Sequence, residues 1–142
     1  MKYDDASWHA GGNFPDDLPP EAGVTHIGLF ASWCMLNGLS GDLHLVEFSD
    51  DLQRLRQRQV TPGTWFAAVC DGKFVDEDLN NEGNGFAEYY YGDTEPNYFS
   101  DLESAIGDRL PTPYHLPDTW DVYDQLAPLL RFRFDTWKQS SR

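Results

Sequence analysis

One apolar stretch, residues 23–38 (GVTHIGLFASWCMLNG), constrains the fold of this chain most strongly. Its apolar side chains fall on two stripes of a helix, so a helix here would be apolar around most of its circumference. It is too short to cross a bilayer, which needs about 20 mostly apolar residues. Asn37 and Gly38 at its end easily take the left-handed conformation that terminates helices. The stretch therefore predicts a central helix that is surrounded by the rest of the protein.

Helical periodicity also dominates the remainder of the chain. Caps and breakers predict further helices near residues 49–58, 62–70, 78–91 and 94–106, and a last helix from 118 or 119 to at least 137. Pro128 should kink or break the last helix. Since no run of residues alternates as a strand does, we predict an all-α fold of about six helices.

Residues 1–22 form a different segment, in which glycines and prolines interrupt any long element. They nevertheless include Tyr3, Trp8, Phe14 and Leu18, and disordered segments are poor in such side chains. We expect an irregular N-terminal arm that packs on the core, with Trp8 as an anchor. Residues 23–142 should then form a single compact helical domain.

The charge balance limits the partners of the protein. With 24 acidic and 10 basic residues, the formal net charge is −14, and the acids are spread along the chain. Such a field repels nucleic acid and attracts cationic proteins. Cys34 and Cys70 lie in apolar helical patterns, as reduced thiols do, and the acidic start does not resemble a signal peptide. These features predict a cytoplasmic protein that does not bind membranes.

The most unusual local cluster is Asp4, Asp5, Trp8 and His9, which brings two acids, an indole and an imidazole within six residues. Aspartate and histidine in such proximity can perform general acid–base catalysis. The alternative is structural, with the aspartates capping turns and with His26 as a core histidine that has one hydrogen-bond partner. The enzyme hypothesis places Asp4, Asp5 and His9, or His26, in a pocket between the arm and the central helix.

Metal binding has weaker support in the sequence. Oxygen ligands alternate as at the start of an EF-hand calcium loop, at Asp76, Asp78, Asn80 and Glu82. The pattern then fails, because the sixth position is Asn81 instead of glycine and the twelfth is Ala87. The four histidines and two cysteines lack the close spacing of zinc ligands. A solvated acidic helix start, core histidines and inert thiols are the favoured interpretations, and no cofactor is expected.

A candidate partner-binding surface follows from three consecutive tyrosines. On a helix, neighbouring side chains point about 100° apart, so these three rings cannot all face one core. Acids and aromatics together suit the side chains of a cationic partner. The predicted surface comprises Glu88, Tyr89, Tyr90, Tyr91, Asp93, Glu95, Tyr98 and Asp101. The alternative is that two tyrosines are buried and the third covers a helix end.

Several motifs together resemble a family of small acidic bacterial proteins that carry a domain of unknown function. They are KYDDASWH (2–9), LPPEAG (18–23), THIG (25–28), TPG (61–63), CDGKF (70–74), DLN (78–80) and DTW (118–120). The resemblance covers nearly the whole chain but implies no reaction and no catalytic positions.

In size and acidity the chain is also similar to immunity proteins that neutralise bacterial toxins. The leading functional hypothesis is therefore a non-enzymatic inhibitor of a cationic toxin or partner protein, and the small enzyme is the alternative.

Overall fold

The computed structural model describes residues 1–9 and 14–140 and is mostly α-helical, as predicted. Its strands are β1 (Lys2–Asp5) and β2 (Lys73–Val75), and its α-helices are α1 (Ala6–His9), α2 (Thr25–Leu36), α3 (Ser49–Arg56), α4 (Pro62–Cys70), α5 (Asn81–Tyr90), α6 (Tyr98–Ile106) and α7 (Trp120–Ser140). Three 3₁₀ turns cover Pro20–Val24, Asp76–Asp78 and Pro113–His115, and a π-helical turn covers Leu43–Glu47. None of these helices combines the length and the apolarity that crossing a membrane requires.

Helix α2 is the centre of the fold, as the sequence predicts. Residues 25–35 are all buried, so the helix has no solvated face. Helix α4 packs against it at Gly28, where a Cβ atom would lie 2.8 Å from the carbonyl oxygen of Pro62. Gly28 is therefore needed for the close packing of α2 and α4, the two most apolar helices.

After Leu36 the chain turns at Gly38, which has a φ of +80°.

Helices α5 and α6 begin at different residues from those predicted, because an asparagine side chain caps the first turn of each. Helix α5 begins after Asn80, whose Oδ1 accepts the N–H of Gly83 at 2.8 Å, because residues 76–78 form a 3₁₀ turn. Helix α6 begins after Asn97, which accepts the N–H of Ser100 at 2.9 Å, instead of near Thr94. Helix α7 is not broken at Pro128 and continues to Ser140.

The N-terminal arm is more regular than predicted. Strand β1 pairs antiparallel with β2, with Lys2 opposite Val75, Asp4 opposite Phe74 and Asp5 opposite Lys73. Strands of three and four residues are too short for a visible alternation, and their pairing joins distant parts of the chain. The expectation of an irregular arm was therefore wrong for residues 2–9, and residues 10–13 lie outside the described residues.

The aromatic residues of the arm are placed unequally. Tyr3 packs on Phe74 with ring centroids 5.2 Å apart, and Phe14 packs on Tyr114 at 5.0 Å. Trp8 does not anchor the arm, since 59% of it is exposed. Short helix α1 turns its indole outward, because the inward position of that turn is occupied by His9, which contacts His26.

Candidate functional site

A pocket of about 590 Å³ lies where the N-terminal segment meets the loop between α5 and α6 and the turn Pro113–His115. Its size falls within the range of small-molecule sites, about 300–1,000 Å³. Aromatic rings make most of its wall, and its polar groups are two carboxylates, an imidazole and the hydroxyls of tyrosines. The lining residues are Tyr3, Asp4, Trp8, His9, Tyr91, Gly92, Asp93, Tyr98, Phe99 and Tyr114.

Asp4 is the polar centre of this pocket. Strand β1 places it on the inner face of the arm, where it is buried. Its Oδ1 contacts His9 Nε2 at 2.7 Å and accepts the backbone N–H of Asp5 at 2.8 Å. Its Oδ2 accepts the Tyr91 hydroxyl at 2.5 Å and lies 3.7 Å from His26 Nε2. Both oxygens are thus surrounded by groups that stabilise the carboxylate.

These contacts set the protonation states around Asp4. Burial opposes ionisation of Asp4, but the neighbouring His26, His9 and Tyr91 outweigh it and hold the pKa of the carboxyl well below its usual range. Burial also lowers the pKa of His26, so its imidazole is neutral near pH 7. Burial and the Asp4 charge raise the pKa of both Tyr91 and Tyr114, which therefore remain hydrogen-bond donors.

His9 extends the network into the pocket. Its Nδ1 lies 2.7 Å from the Tyr114 hydroxyl, while its Nε2 faces Asp4. Both contacts are satisfied when His9 carries a proton on Nε2 and Tyr114 donates to Nδ1. The result is a continuous chain of hydrogen bonds, Tyr114 to His9 to Asp4. An imidazole oriented by a carboxylate in this way is suited to accept a proton.

His26 closes the inner side of the network. It is 1% exposed, and neither ring nitrogen has a hydrogen-bond partner among the described residues. The prediction of a core histidine is confirmed, but that of one hydrogen-bond partner is wrong. One donor atom from each of Asp4, His9 and His26 lies within 4.8 Å of the others, so the set has the ligand types of a metal site.

The structure brings together three of the four candidate catalytic residues and separates the fourth. Asp4, His9 and His26 converge, whereas Asp5 pairs with Lys2 at 2.8 Å and accepts the Ser7 hydroxyl at 2.8 Å. Because Asp5 is held by Lys2 and Ser7, only Asp4 of the two aspartates lines the pocket. Sequence reasoning did not find Tyr114, since an aromatic residue in a proline-rich loop gives no periodic signal.

The residues of the predicted partner surface point in several directions. Tyr90 and Tyr98 are buried, and their hydroxyls donate to Asp101 Oδ2 at 2.5 Å and to the His26 carbonyl at 2.6 Å. Asp101 also binds the Arg133 guanidinium at 2.8 and 3.1 Å. Tyr91 faces the pocket and Tyr89 is half-buried. The exposed members are Glu88, Asp93 and Glu95.

The four residues of the calcium alternative do not converge on one point. Asp76 pairs with the amino group of Met1, and Glu82 pairs with Lys138. Asn80 is occupied as the cap of α5, and the Asp78 carboxylate turns inward to His44. The local hydrogen bonds of these side chains therefore exclude the EF-hand-like arrangement.

The fold and the pocket define a mostly helical domain with a carboxylate–imidazole network below an aromatic cavity. The chain belongs to the family described as Domain of unknown function (DUF7832), whose model matches residues 2–116. The match includes every residue that lines the pocket. No curated protein and no solved structure matches the chain.

Proposed function

We propose that the protein is a small enzyme that performs acid–base chemistry on a molecule bound in the aromatic pocket. The observation that carries this proposal is the hydrogen-bonded chain from Tyr114 through His9 to Asp4 at the pocket wall. The His9 side chain is 20% exposed, so the network reaches the pocket. This arrangement has the parts of a general base with its orienting group.

The three side chains have distinct roles in the proposed reaction. Asp4 holds the His9 proton on Nε2 and stabilises the imidazolium that forms when Nδ1 accepts a second proton. That proton comes from the Tyr114 hydroxyl, which donates to Nδ1 and takes a replacement proton from the bound molecule or from water. His9 can perform this exchange because its side chain is 20% exposed, whereas that of His26 is enclosed.

The pocket also selects a class of substrate. Its aromatic rings, including Trp8 and Phe99, offer flat apolar surface, and cations bind well to the faces of such rings. Asp4 and Asp93 add negative charge, which disfavours anionic molecules. We therefore propose a neutral or cationic substrate with an apolar portion.

Asp4→Asn and His9→Gln should each reduce kcat/KM by about 10²–10⁴-fold, the usual contribution of general acid–base catalysis. Asp5→Asn is the matched control, because its carboxylate lies next in the chain but points away from the pocket. The substrate would first be sought by mass spectrometry with panels of neutral and cationic esters, amides and amines.

The thermal melting of each variant is measured in parallel to separate catalysis from folding. Turnover that survives His9→Gln in a folded protein would contradict the proposal. An equal loss in Asp5→Asn and Asp4→Asn would also contradict it, because the effect would then be structural.

A second candidate function is the inhibition of a cationic toxin or partner protein in the cytoplasm. It is favoured by the net charge of −14 and by the exposed carboxylates Glu88, Asp93 and Glu95, of which Asp93 also borders the pocket. The two cysteines are free, as in proteins of reducing compartments. A partner could place a Lys or Arg side chain between these acids and the rings of the pocket.

Reversing Asp93 and Glu95 to Lys should weaken binding of such a partner about 100-fold, equivalent to about 2.7 kcal/mol. Glu47→Lys with Asp108→Lys is the control, because these exposed acids do not line the pocket and the change in net charge is the same. Affinity is measured at two salt concentrations with a partner isolated by pull-down from the host. Equal losses in both double variants would show a nonspecific charge effect and contradict a site at Asp93.

A further inference from the structure

We infer that His44, Cys70 and Asp78 form a binding site for one divalent transition-metal ion, for which Zn²⁺ fits the donors best. The three residues come from separate elements: the π-helical turn, the last position of α4 and the 3₁₀ turn after β2. They share no residue with the catalytic network proposed above. The inference therefore stands or fails independently of the proposed enzyme.

The geometry of the three side chains supports a shared ligand. His44 Nε2 lies 2.8 Å from Asp78 Oδ1, and the Cys70 sulfur lies 3.9 Å from the same oxygen. All three donor atoms lie within 4.8 Å of one another. Zinc binds imidazole nitrogen, thiolate sulfur and carboxylate oxygen at about 2.0–2.3 Å, so small rotations bring all three into range of one ion.

The environment of Asp78 gives a second reason. Asp78 and His44 are both buried, and the His44 ring packs against Trp65 with centroids 5.5 Å apart. In the described part of the chain, no Lys or Arg lies within ion-pair distance of Asp78, and its one basic contact, His44 at 2.8 Å, carries a charge only when it is protonated. A buried carboxylate is costly without a nearby cation. A divalent ion would supply the missing positive charge.

The remaining hydrogen bonds suit a coordinating role. Asp78 Oδ2 accepts the backbone N–H of Val75 at 2.8 Å, which fixes the carboxylate and leaves Oδ1 toward the other two residues. His44 Nδ1 is buried and has no partner among the described residues. The proton of His44 can therefore move to Nδ1. This gives up the hydrogen bond from Nε2–H to Asp78 Oδ1, and both of these atoms then become free to bind the ion.

Coordination also requires the loss of one proton to solvent. The Cys70 thiol releases its proton and binds as the thiolate, beside a neutral imidazole from His44 and a carboxylate from Asp78, which are the forms in which these side chains bind metals. The ion and its two anionic ligands are then electrically balanced. Three protein ligands leave a fourth position for water, which can enter because Cys70 is only partly buried.

The experiment uses the full chain after treatment with a chelator. We expect one Zn²⁺ to bind per chain by calorimetry. At a free concentration of about 100 times Kd, it should raise the melting temperature by about 5–10 °C. Co²⁺ should give a near-ultraviolet thiolate-to-cobalt charge-transfer band. Cys70→Ser should remove this band and weaken Zn²⁺ binding by about 100-fold or more, since outer-shell partners alone contribute about 10–100-fold.

Cys34→Ser is the matched control, because this thiol is buried in α2 and belongs to no group of metal-ligating side chains in the described residues. It should retain both the band and the affinity. Absence of the band in the wild-type protein would overturn the inference, even if Cys70→Ser failed to fold. Binding that persists in Cys70→Ser but is lost in His26→Gln would also overturn it and place the ion at the Asp4 cluster.

Discussion

Trp33→Ala is expected to reduce the free energy of unfolding by about 3–5 kcal/mol, the usual cost of removing a large core side chain. Trp33 lies in the central helix and is 1% exposed. Its ring contacts Phe86 and Phe134 at centroid distances of 5.9 and 5.7 Å, so its removal leaves a cavity between α2, α5 and α7. Denaturation by urea, monitored by circular dichroism, measures the change.

Trp8→Ala is the matched control for this prediction, because the same atoms are removed from a residue that is 59% exposed. We expect it to change stability by less than about 0.5 kcal/mol. If the two variants lost similar free energy, the assignment of α2 as the centre of the core would be wrong. A large loss of unfolding free energy in Trp8→Ala alone would support the prediction that Trp8 anchors the arm.

Acidification below about pH 6.5 is expected to reduce the free energy of unfolding through His26. Burial lowers the pKa of His26 in the folded protein below its unfolded value of about 6.5. Between the two pKa values the unfolded chain binds more protons, so stability is fully present above about pH 6.5 and falls as the pH decreases. The maximal slope is about 1.4 kcal/mol per pH unit.

Asp4 contributes in a different pH window, which allows the two groups to be separated. Its pKa is also lowered on folding, but the unfolded value of an aspartate is about 3.9, so its contribution is lost only below about pH 4. Stability of the wild type and of His26→Gln is measured by urea denaturation between pH 7.5 and 5. Parallel curves for the two proteins would contradict the effect assigned to His26.

The sequence predicts the helical framework well because its signals are local. The apolar stretch of α2 and the Thr61-Pro62 start of α4 combine periodicity with capping residues, and both helices form where expected. Strands β1 and β2 were missed, since each is too short for an alternating pattern and each is stabilised by a distant partner. The starts of α5 and α6 differ from the predicted ones because Asn80 and Asn97 act as N-terminal caps.

The candidate site was predictable only in part. The cluster of Asp4 and His9 in the sequence predicted the segment that forms the site. Sequence spacing cannot show that Tyr114 contacts His9 or that His26 lies beside Asp4. Tyr90 and Tyr98 were predicted to belong to an exposed binding surface but are buried. Their hydroxyls can be buried because each donates a hydrogen bond to a specific acceptor, Asp101 for Tyr90 and the His26 carbonyl for Tyr98. Such polar burial depends on tertiary contacts, which helical periodicity does not encode.

The pairing of β1 with β2 also determines when the pocket can form during folding. Asp4 meets Tyr91 across 87 residues, and His9 meets Tyr114 across 105 residues, so the network requires the closure of very long loops. We expect contacts of such high separation to form after the local helices, because closing a long loop costs more entropy. A four-residue strand and a four-residue helix also bury little surface, so this segment can open without unfolding the core. Amide hydrogen exchange at β1 should therefore be faster than in α2, and a ligand that fills the pocket should slow it.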